Sequence, residues 1–275
     1  MKESPMKKEE SARSEAEKEE NCEIRNVWKH NLEEEIDILS ELIQKYPYVA
    51  MDTEFPGVIA KPMGTFSTQA VYTYNQLRCN ISLLSLIQLG ISLSNESGEK
   101  PMPSTWQFNF HFDKEGSMSA QESMLVLEQA GIDFDRLSRD GINIDAFSVL
   151  ITTSGLLMNK SLKWISFHSS YDFGYIIKAI TGQDLPPSME EFTYILSKVF
   201  PHFYDIKYLI NMLGKKGGLQ DLADELVVQR EGVQHQAGSD ALLTLKVFHT
   251  LKTDIIPDAE KNAKYKCKLF GIDAA

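Results

Sequence analysis

The sequence predicts an α/β domain in which helices cover a mixed β-sheet. Its 275 residues are 43% apolar and 10% aromatic, enough to bury one large core or two small ones. In the first half of the chain, strand-forming segments follow one another closely, as antiparallel hairpins do. In the second half, strands alternate with helices, as parallel pairing requires. Both strand directions are therefore expected in one sheet.

Composition and patterning exclude several classes of protein. The chain has no run of 18 apolar residues, so neither a transmembrane helix nor membrane association is expected. Its highly charged N-terminus lacks the apolar segment of a secretory signal. Cys22, Cys79 and Cys267 are scattered and form no C-x-x-C pair. That usage is typical of a reduced intracellular protein and argues against a disulfide framework or a zinc knuckle.

The formal net charge of −11 limits how this chain can bind nucleic acid. Because phosphate binding depends on Lys and Arg, an acidic chain should not adhere to RNA non-specifically. Any activity on nucleic acid must come from a local site in which metal ions neutralise carboxylates.

The N-terminal segment differs in composition from the rest of the chain. Residues 1–23 are mostly Lys, Glu, Ser and Ala in runs of mixed sign, which predicts a disordered, solvated tail. Residues 24–275 then form a single folded domain without internal repeats.

The first helix and strand of that domain lead to an acidic residue. Apolar residues at helical spacing in 36–43 predict a helix that begins near Asn31 and is ended by Pro47. A short apolar segment, 48–51, then predicts a buried strand that runs into Asp52.

The next two strands are predicted to form a hairpin with a long loop. The apolar run 83–93 contains Gly90, which indicates a central strand with a bulge. Residues 95–98 have turn chemistry. Residues 105–112 alternate large apolar and polar side chains, the pattern of a half-buried strand.

The rest of the chain reads as helices and strands in alternation. Ser119 and Glu122 have capping-box spacing before a helix that runs through Ala130, with Gly131 as its C-cap. Further elements are a helix at 146–157, a strand at 164–167, a helix at 171–180, a strand at 200–206, a helix after Gly217-Gly218 and a last helix from about Gly238 to Leu251. This order is that of a ribonuclease-H-like arrangement.

Carboxylates follow two of the predicted strands. Asp52 and Glu54 are two residues apart, so they project from one face of a strand at its C-terminal end. A D-x-E triplet is common by chance, so the alternative to a functional pair of carboxylates is that Asp52 and Glu54 belong to a polar loop. Asp172 follows the strand at 164–167 among aromatic residues, where an unpaired carboxylate is costly. Its alternative role is to stabilise a helix N-terminus. His168, nearby, is interpreted as a packed or loop histidine.

A histidine and a further carboxylate lie near the last helix. Asp240 is in the first turns of this helix, and His235 is in the loop that enters it. The alternative to a functional role for these two residues is that they belong to a solvated helix start.

Taken together, however, the four carboxylates cannot all ionise in a dry site without cations. Their oxygens suit a pair of Mg²⁺ or Mn²⁺ ions, which stabilise the attacking and leaving oxygens in phosphodiester cleavage. A histidine can take the proton of the attacking water.

Asp52-x-Glu54, Asp172 and His235-x4-Asp240 resemble the three exonuclease motifs of the DEDD superfamily, in its histidine-containing branch. The surrounding segments resemble, more specifically, the CCR-associated-factor-one deadenylases, the catalytic subunits of the CCR–NOT messenger-RNA decay complex. The resemblance covers roughly residues 24–272 without large gaps. It is carried by Met51–Gly57, Arg78–Asn80, Ile87–Gly90, Ser104–Phe110, Phe167–Ser169, Tyr171–Tyr175, Tyr204–Leu209 and His235–Asp240.

The resemblance implies a ribonuclease-H-like fold and 3′→5′ removal of 5′-AMP from poly(A) RNA, with two divalent ions, Mg²⁺ or also Mn²⁺, as cofactors. The implied metal ligands are Asp52, Glu54, Asp172 and Asp240, and His235 is the implied general base. The implied partners are poly(A) RNA, the NOT scaffold subunit and a second deadenylase subunit, in the cytoplasm and nucleus. Recruitment by other subunits would make a modest intrinsic affinity for RNA sufficient.

Four further residues lie near these motifs. Ser170 stands where many family members carry Gly, a change that should be tolerated. Asp205 follows a strand but has no motif partner, so it is interpreted as structural. Phe55 and Phe173 flank the implied ligands, where they could either stack on bases or pack in the core.

Two other functions remain open. One is an adaptor that keeps the nuclease fold without activity, although an inert site would be free to lose carboxylates that repel one another. The other is a DNA-directed exonuclease of the same superfamily, against which only the segments between the motifs argue. Cleavage of oligo(A) RNA with and without Mg²⁺ distinguishes these functions.

Overall fold

A computed structural model of the protein describes residues 23–254 and 264–273. Residues 1–22 of the predicted tail lie outside the described residues. Glu23, the last residue of that tail, is held by the sheet: its carbonyl accepts hydrogen bonds from the backbone N–H groups of Ser104 and Thr105. Its carboxylate also accepts a hydrogen bond from the Ser104 hydroxyl and pairs with Lys100.

A six-stranded mixed sheet forms the centre of the molecule, in the order β1-β4-β3-β2-β5-β6. The strands are β1 (Ile24–Val27), β2 (Tyr48–Glu54), β3 (Gln88–Ser94), β4 (Thr105–Asn109), β5 (Lys163–Ser166) and β6 (Phe203–Asp205). Strand β3 is antiparallel to β2 and β4, and the other pairs are parallel. The order from β4 to β6 is ribonuclease-H-like, which confirms the predicted fold; β1 adds one edge strand.

Ten helices surround the sheet within the described residues. They are α1 (Leu32–Leu42), α2 (Gln69–Leu83), α3 (Gln121–Gln129), α4 (Phe134–Asp140), α5 (Ile144–Thr153), α6 (Ser170–Thr181), α7 (Met189–Val199), α8 (Ile206–Met212), α9 (Leu219–Glu225) and α10 (Ala237–Asp254). Of these, α2, α4, α7 and α8 were not predicted. None of the described helices is long and apolar enough to cross a membrane.

Strand β2 separates two apolar cores, and this separation determines which way its side chains point. Tyr48 and Ala50 pack in the core that contains apolar residues of α10. Val49 and Met51 pack in the larger core, on the side of α6. Because neighbouring side chains of a strand alternate between faces, Asp52 and Glu54 continue the row of Tyr48 and Ala50 towards α10.

The predicted bulge at Gly90 is wrong. The pairing of β3 with both neighbours is continuous through Gly90, which lies opposite Asp52 on one side and Gln107 on the other. The glycine has a different cause: a Cβ atom there would lie 1.9 Å from the carbonyl oxygen of Ala237. Only glycine therefore lets the start of α10 lie this close to the sheet.

Two further predictions of local structure are wrong. The Ser119–Glu122 capping box is absent, because Ala120 is the N-cap of α3 and its side chain makes no capping bond. The backbone N–H of Ala120 donates to the carbonyl of Pro56 instead, so a loop distant in sequence fixes the start of this helix. Strand β4 is buried on both faces rather than half-buried, since it lies between two strands and beneath α10.

Candidate metal centre

The first two candidate ligands lie within β2, at its C-terminal end. The strand continues through Asp52 to Glu54, three residues beyond the apolar segment 48–51. Asp52 is opposite Gly90 in β3, and Glu54 is opposite Gln88. Their carboxylates therefore share one face of the sheet, as the i, i+2 spacing predicts.

The third carboxylate is brought to this strand by α6. Asp172 is in the first turn of α6 and is buried. Its Oδ1 accepts a hydrogen bond of 2.5 Å from the hydroxyl of Thr53, the residue between Asp52 and Glu54. This bond joins segments 119 residues apart in the chain and fixes where the Asp172 carboxylate lies relative to β2.

Asp240 and His235 complete the group from the start of α10. The Asp240 Oδ1 accepts from the Arg230 guanidinium at 2.7 Å, and its Oδ2 accepts from the backbone N–H of His235 at 2.8 Å. His235 has a φ of 64°, and its side chain is exposed. One potential ligand atom from each of Glu54, His235 and Asp240 lies within 4.8 Å of the others.

Burial and mutual repulsion make these carboxylates hard to ionise. Desolvation raises the pKa of Glu54 to about 8, and the charges of Asp240 and Asp172 add to the effect. Desolvation likewise raises the pKa of Asp172 to about 7, although the bond from Thr53 opposes it. The pKa of Asp52 is raised well above its usual range, first by burial and then by Asp240, Asp172 and Glu54.

A single arginine opposes this accumulation of negative charge among the described residues. Arg230 lowers the pKa values of Asp52 and Glu54, but its guanidinium is already paired with Asp240. Carboxylate oxygens in a buried cluster are the ligand set that Mg²⁺ and Mn²⁺ prefer. The residues present therefore fit divalent cations, which would remove the repulsion.

A layer of glutamine side chains holds the loop that carries His235. The Gln236 side-chain oxygen accepts from the amides of Gln88 at 3.1 Å and Gln107 at 2.9 Å. In return, the side-chain oxygens of Gln88 and Gln107 accept from the backbone N–H groups of Ala237 and Gly238. Strands β3 and β4 thus position the start of α10 through side chains, beside the close approach at Gly90.

Of the four carboxylates, Glu54 lines a cleft of about 710 Å³, together with Phe55, His235 and residues of α3. Phe55 is partly exposed and stacks on Tyr171, with ring centroids 4.9 Å apart. Phe173, by contrast, is fully buried against Phe200 and Phe203, so it packs in the core and cannot reach a base.

Two other residues singled out in the sequence lie outside this centre. Asp205 is buried, and its Oδ1 accepts from the backbone N–H groups of His168 and Lys207. Its Oδ2 accepts from the N–H of Phe270. Asp205 is therefore structural, as interpreted from the sequence. His168 is an exposed loop residue whose ring contacts Phe270.

The structure adds residues that sequence patterns do not identify. Thr53 occupies the unspecified position of the D-x-E triplet, so its bond to Asp172 has no local signal. Arg230 lies ten residues before Asp240 in an irregular loop and also donates to Gln220 and Ser239. Gln88 and Gln107 fall within the segments that carry the family resemblance, which is the one signal that points to them.

Comparison with known proteins identifies close relatives. The model of the CAF1 family ribonuclease matches residues 27–144 and 147–248. Poly(A) ribonuclease pop2 of Schizosaccharomyces pombe is 45% identical over 251 residues, which cover 90% of this chain and 75% of that protein. CCR4-NOT transcription complex subunit 7 of Caenorhabditis elegans is 46% identical over 241 residues, which cover 86% of this chain and 78% of that protein.

Solved structures show the same fold. The structure of S. pombe Pop2p with Mg²⁺ and Mn²⁺ bound is 44% identical, with a TM-score of 0.89, and the match covers 91% of this chain and all of that one. CAF1 co-crystallised with the yeast NOT1 MIF4G domain is 33% identical, with a TM-score of 0.74, over 90% of this chain and 96% of that one. The family match, which spans most of the chain, and the identity to these relatives show that the chain belongs to the CAF1 family of ribonucleases.

Proposed function

We propose that this protein is a 3′→5′ exoribonuclease that shortens poly(A) tails, releases 5′-AMP and acts as a catalytic subunit of a CCR–NOT complex. The observation that carries the proposal is the convergence of four carboxylates at one end of β2. Burial raises the pKa values of Asp52, Glu54 and Asp172, and Asp240 lies close to Glu54 and His235. The names of the relatives, a poly(A) ribonuclease and a CCR4-NOT subunit, supply the substrate and the complex.

Asp52, Glu54, Asp172 and Asp240 would hold two divalent ions, Mg²⁺ or Mn²⁺. When bound, such ions stabilise charge on the attacking and leaving oxygens of the phosphodiester. The carboxylates come from β2, α6 and α10, three elements fixed by the core, so their oxygens are positioned before substrate arrives. Thr53 keeps one Asp172 oxygen in place, and Arg230 does the same for one oxygen of Asp240.

His235 is suited to move the proton in the reaction. Water attacks the phosphorus of the last phosphodiester, and its proton passes to an imidazole nitrogen of His235. The bond from phosphorus to the upstream O3′ breaks, and the released O3′ takes a proton from solvent. The products are 5′-AMP and an RNA that is one nucleotide shorter, with a new 3′-OH. The exposed side chain at the cleft can exchange that proton with solvent.

The acidic surface makes recruitment by partners part of the proposal. With a net charge of −11, the chain gains little from non-specific attraction to RNA. We propose a NOT scaffold subunit and a second deadenylase subunit as partners, because a relative was crystallised with NOT1 and another is a subunit of the complex. We also propose activity in the cytoplasm and nucleus. The scattered cysteine usage, with Cys79 and Cys267 free, supports a reducing compartment.

A single assay tests the function. Oligo(A) RNA labelled at its 5′ end is incubated with Mg²⁺, with Mn²⁺ or with EDTA, and the products are separated on a sequencing gel. Stepwise shortening that requires a divalent ion, releases 5′-AMP and is blocked by a 3′-phosphate is expected, and Asp52→Asn serves as the inactive control. No cleavage under any condition would support the adaptor. Equal rates on DNA or on RNA of mixed sequence would support the general nuclease.

A further inference from the structure

A second cavity, of about 670 Å³, lies outside the metal centre between the segment 84–86, the α4–α5 junction and α6. We call it the basic cavity, because its lining contains Lys29, His111, Arg139 and Lys178. Asp145 is the one acidic residue in the described lining. The chain as a whole has 39 acidic and 28 basic residues, so the positive charge of this lining is opposite in sign to the net charge of the protein.

The basic cavity combines an apolar floor with a charged rim. Leu84, Leu86, Phe110, Ile142 and Tyr175 are buried residues of its lining. Lys29, His111 and Arg139 are exposed, and Lys178 is partly exposed. A site of this size with apolar walls and a few charged groups is suited to an amphipathic anion.

Much of the positive charge at the rim is not neutralised by carboxylates. The Lys178 ammonium donates to the backbone carbonyls of Ile81 at 2.6 Å and Ser82 at 3.1 Å, which carry no net charge. The guanidinium of Arg139 has no partner within the described part of the chain. Asp184 acts on Lys178 only at longer range. Among the described residues, Lys29 is the one rim cation in an ion pair with a carboxylate, that of Asp140 at 3.5 Å, and that pair is exposed and weak. An incoming phosphate would therefore meet available positive charge.

The basic cavity adjoins the catalytic cleft. Phe55 lines the cleft and Tyr175 lines the cavity, and their ring centroids are 5.2 Å apart. The two spaces are thus separated by one layer of aromatic side chains. The phenolic oxygen of Tyr175 is buried in that layer and has no hydrogen-bond partner among the residues that the structure describes. The cavity and the cleft therefore lie on the two sides of the Phe55–Tyr175 contact.

We propose that the basic cavity is a subsite for a phosphate-bearing nucleotide, occupied by a nucleotide of the RNA upstream of the 3′ end. The apolar floor would take the base, and Arg139, Lys178 and Lys29 would attract the phosphate. This assignment rests on the proposed nuclease function for its choice of RNA. A free mononucleotide carries the same chemistry and is the other source of ligand.

Arg139→Gln removes one rim charge from an exposed side chain and should leave the fold intact. Lys198→Gln is the matched control, because Lys198 is also exposed and lines neither the cleft nor the basic cavity. Binding of fluorescein-labelled oligo(A) to protein in EDTA is measured by anisotropy over a range of salt concentrations. For Arg139→Gln, the slope of log affinity against log salt should be smaller by about 0.7, because the variant neutralises one phosphate fewer on the single strand. The affinity at low salt should fall about 3- to 5-fold.

Kinetics with two substrate lengths separate this subsite from the metal centre. Arg139→Gln should raise the KM for a long oligo(A) and leave its kcat unchanged. The dinucleotide ApA has no upstream phosphate, so its cleavage should be unchanged. The proposal would be overturned if Arg139→Gln and Lys198→Gln changed the KM for the long RNA equally. It would also be overturned if Arg139→Gln slowed cleavage of ApA as much as cleavage of the long RNA.

If wild type binds oligo(A) in an Arg139-dependent way but cleaves nothing, the proposed function fails and the subsite stands. If 5′-AMP binding in EDTA depends on Arg139 and RNA binding does not, the RNA assignment is overturned in favour of a free nucleotide.

Discussion

Replacing Glu54 by Gln should raise the stability of the metal-free protein at alkaline pH. Burial and neighbouring carboxylates raise the pKa of Glu54 from 4.5 to about 8 in the folded protein. A carboxyl whose folded pKa is raised contributes stability that is fully present below pH 4.5. That stability is lost as the pH rises through 8, because the folded state holds the proton more tightly than the unfolded chain. A glutamine side chain does not ionise, so its contribution to the stability of the folded protein does not change with pH.

The size of the effect follows from this pKa difference. A tenfold change in protonation equilibrium is worth about 1.4 kcal/mol, so the cost at pH 8.5 is at most about 5 kcal/mol. Solvent at this partly exposed side chain reduces it, and about 2–3 kcal/mol is expected. For a chain of this length, 1 kcal/mol moves the melting temperature by about 2 °C. Glu54→Gln in EDTA should therefore melt about 4–6 °C above wild type at pH 8.5, and the gap should narrow towards pH 5.

Divalent ions should reverse this order. At about 100 times the Kd, each bound ion adds roughly 2.7 kcal/mol, so the two ions of the proposed site raise the melting temperature of the wild type by about 11 °C. The amide of Glu54→Gln is a poorer ligand, so the variant should gain much less from Mn²⁺. Asp52→Asn should show the same inversion. Melting is followed by circular dichroism, and Glu115→Gln, at an exposed position outside the cleft, controls for the loss of a charge. If Glu54→Gln melts at or below wild type in EDTA at pH 8.5, carboxylate repulsion is not what shapes this site.

Four further outcomes are expected. Asp240→Asn should lower ribonuclease activity more than about 100-fold while the protein stays folded, and activity near wild type would remove Asp240 from the metal ligands. His235→Ala should lower kcat about 10²–10⁴-fold and flatten the acid limb of the pH–rate profile, and an unchanged profile would place the base elsewhere. Gly90→Ala should destabilise the protein by roughly 3 kcal/mol or more in urea denaturation, because its Cβ would lie 1.9 Å from the Ala237 carbonyl; a smaller cost would mean that α10 can shift freely. Deletion of residues 1–22, which have little apolar content, should leave melting temperature and activity on oligo(A) unchanged, and a drop of several degrees would show that the segment docks.

The part of the fold that the sequence predicts is the part with local periodicity. The helix at α1, the strands β2 and β5 and the helices α6 and α10 each have apolar residues at the spacing of their own structure. The helix α2 was missed because its apolar positions are sparse and it joins the apolar run at Leu83. The bulge at Gly90 and the capping box at Ser119 were wrong for a shared reason: each was inferred from residues nearby in sequence. The structure fixes both positions through distant backbone, at Ala237 and Pro56.

For the candidate site, the sequence by itself determined which side chains are available: Asp52, Glu54, Asp172, His235 and Asp240, at spacings that place each near the end of an element. The tertiary structure decided how they meet. The Thr53–Asp172 bond, the pairing of Arg230 with Asp240 and the glutamine layer around Gln236 join segments up to 149 residues apart. The raised pKa values and the basic cavity likewise depend on burial and on which charges become neighbours. No local pattern encodes these properties, because they arise from distances between residues that only the packed sheet and helices establish.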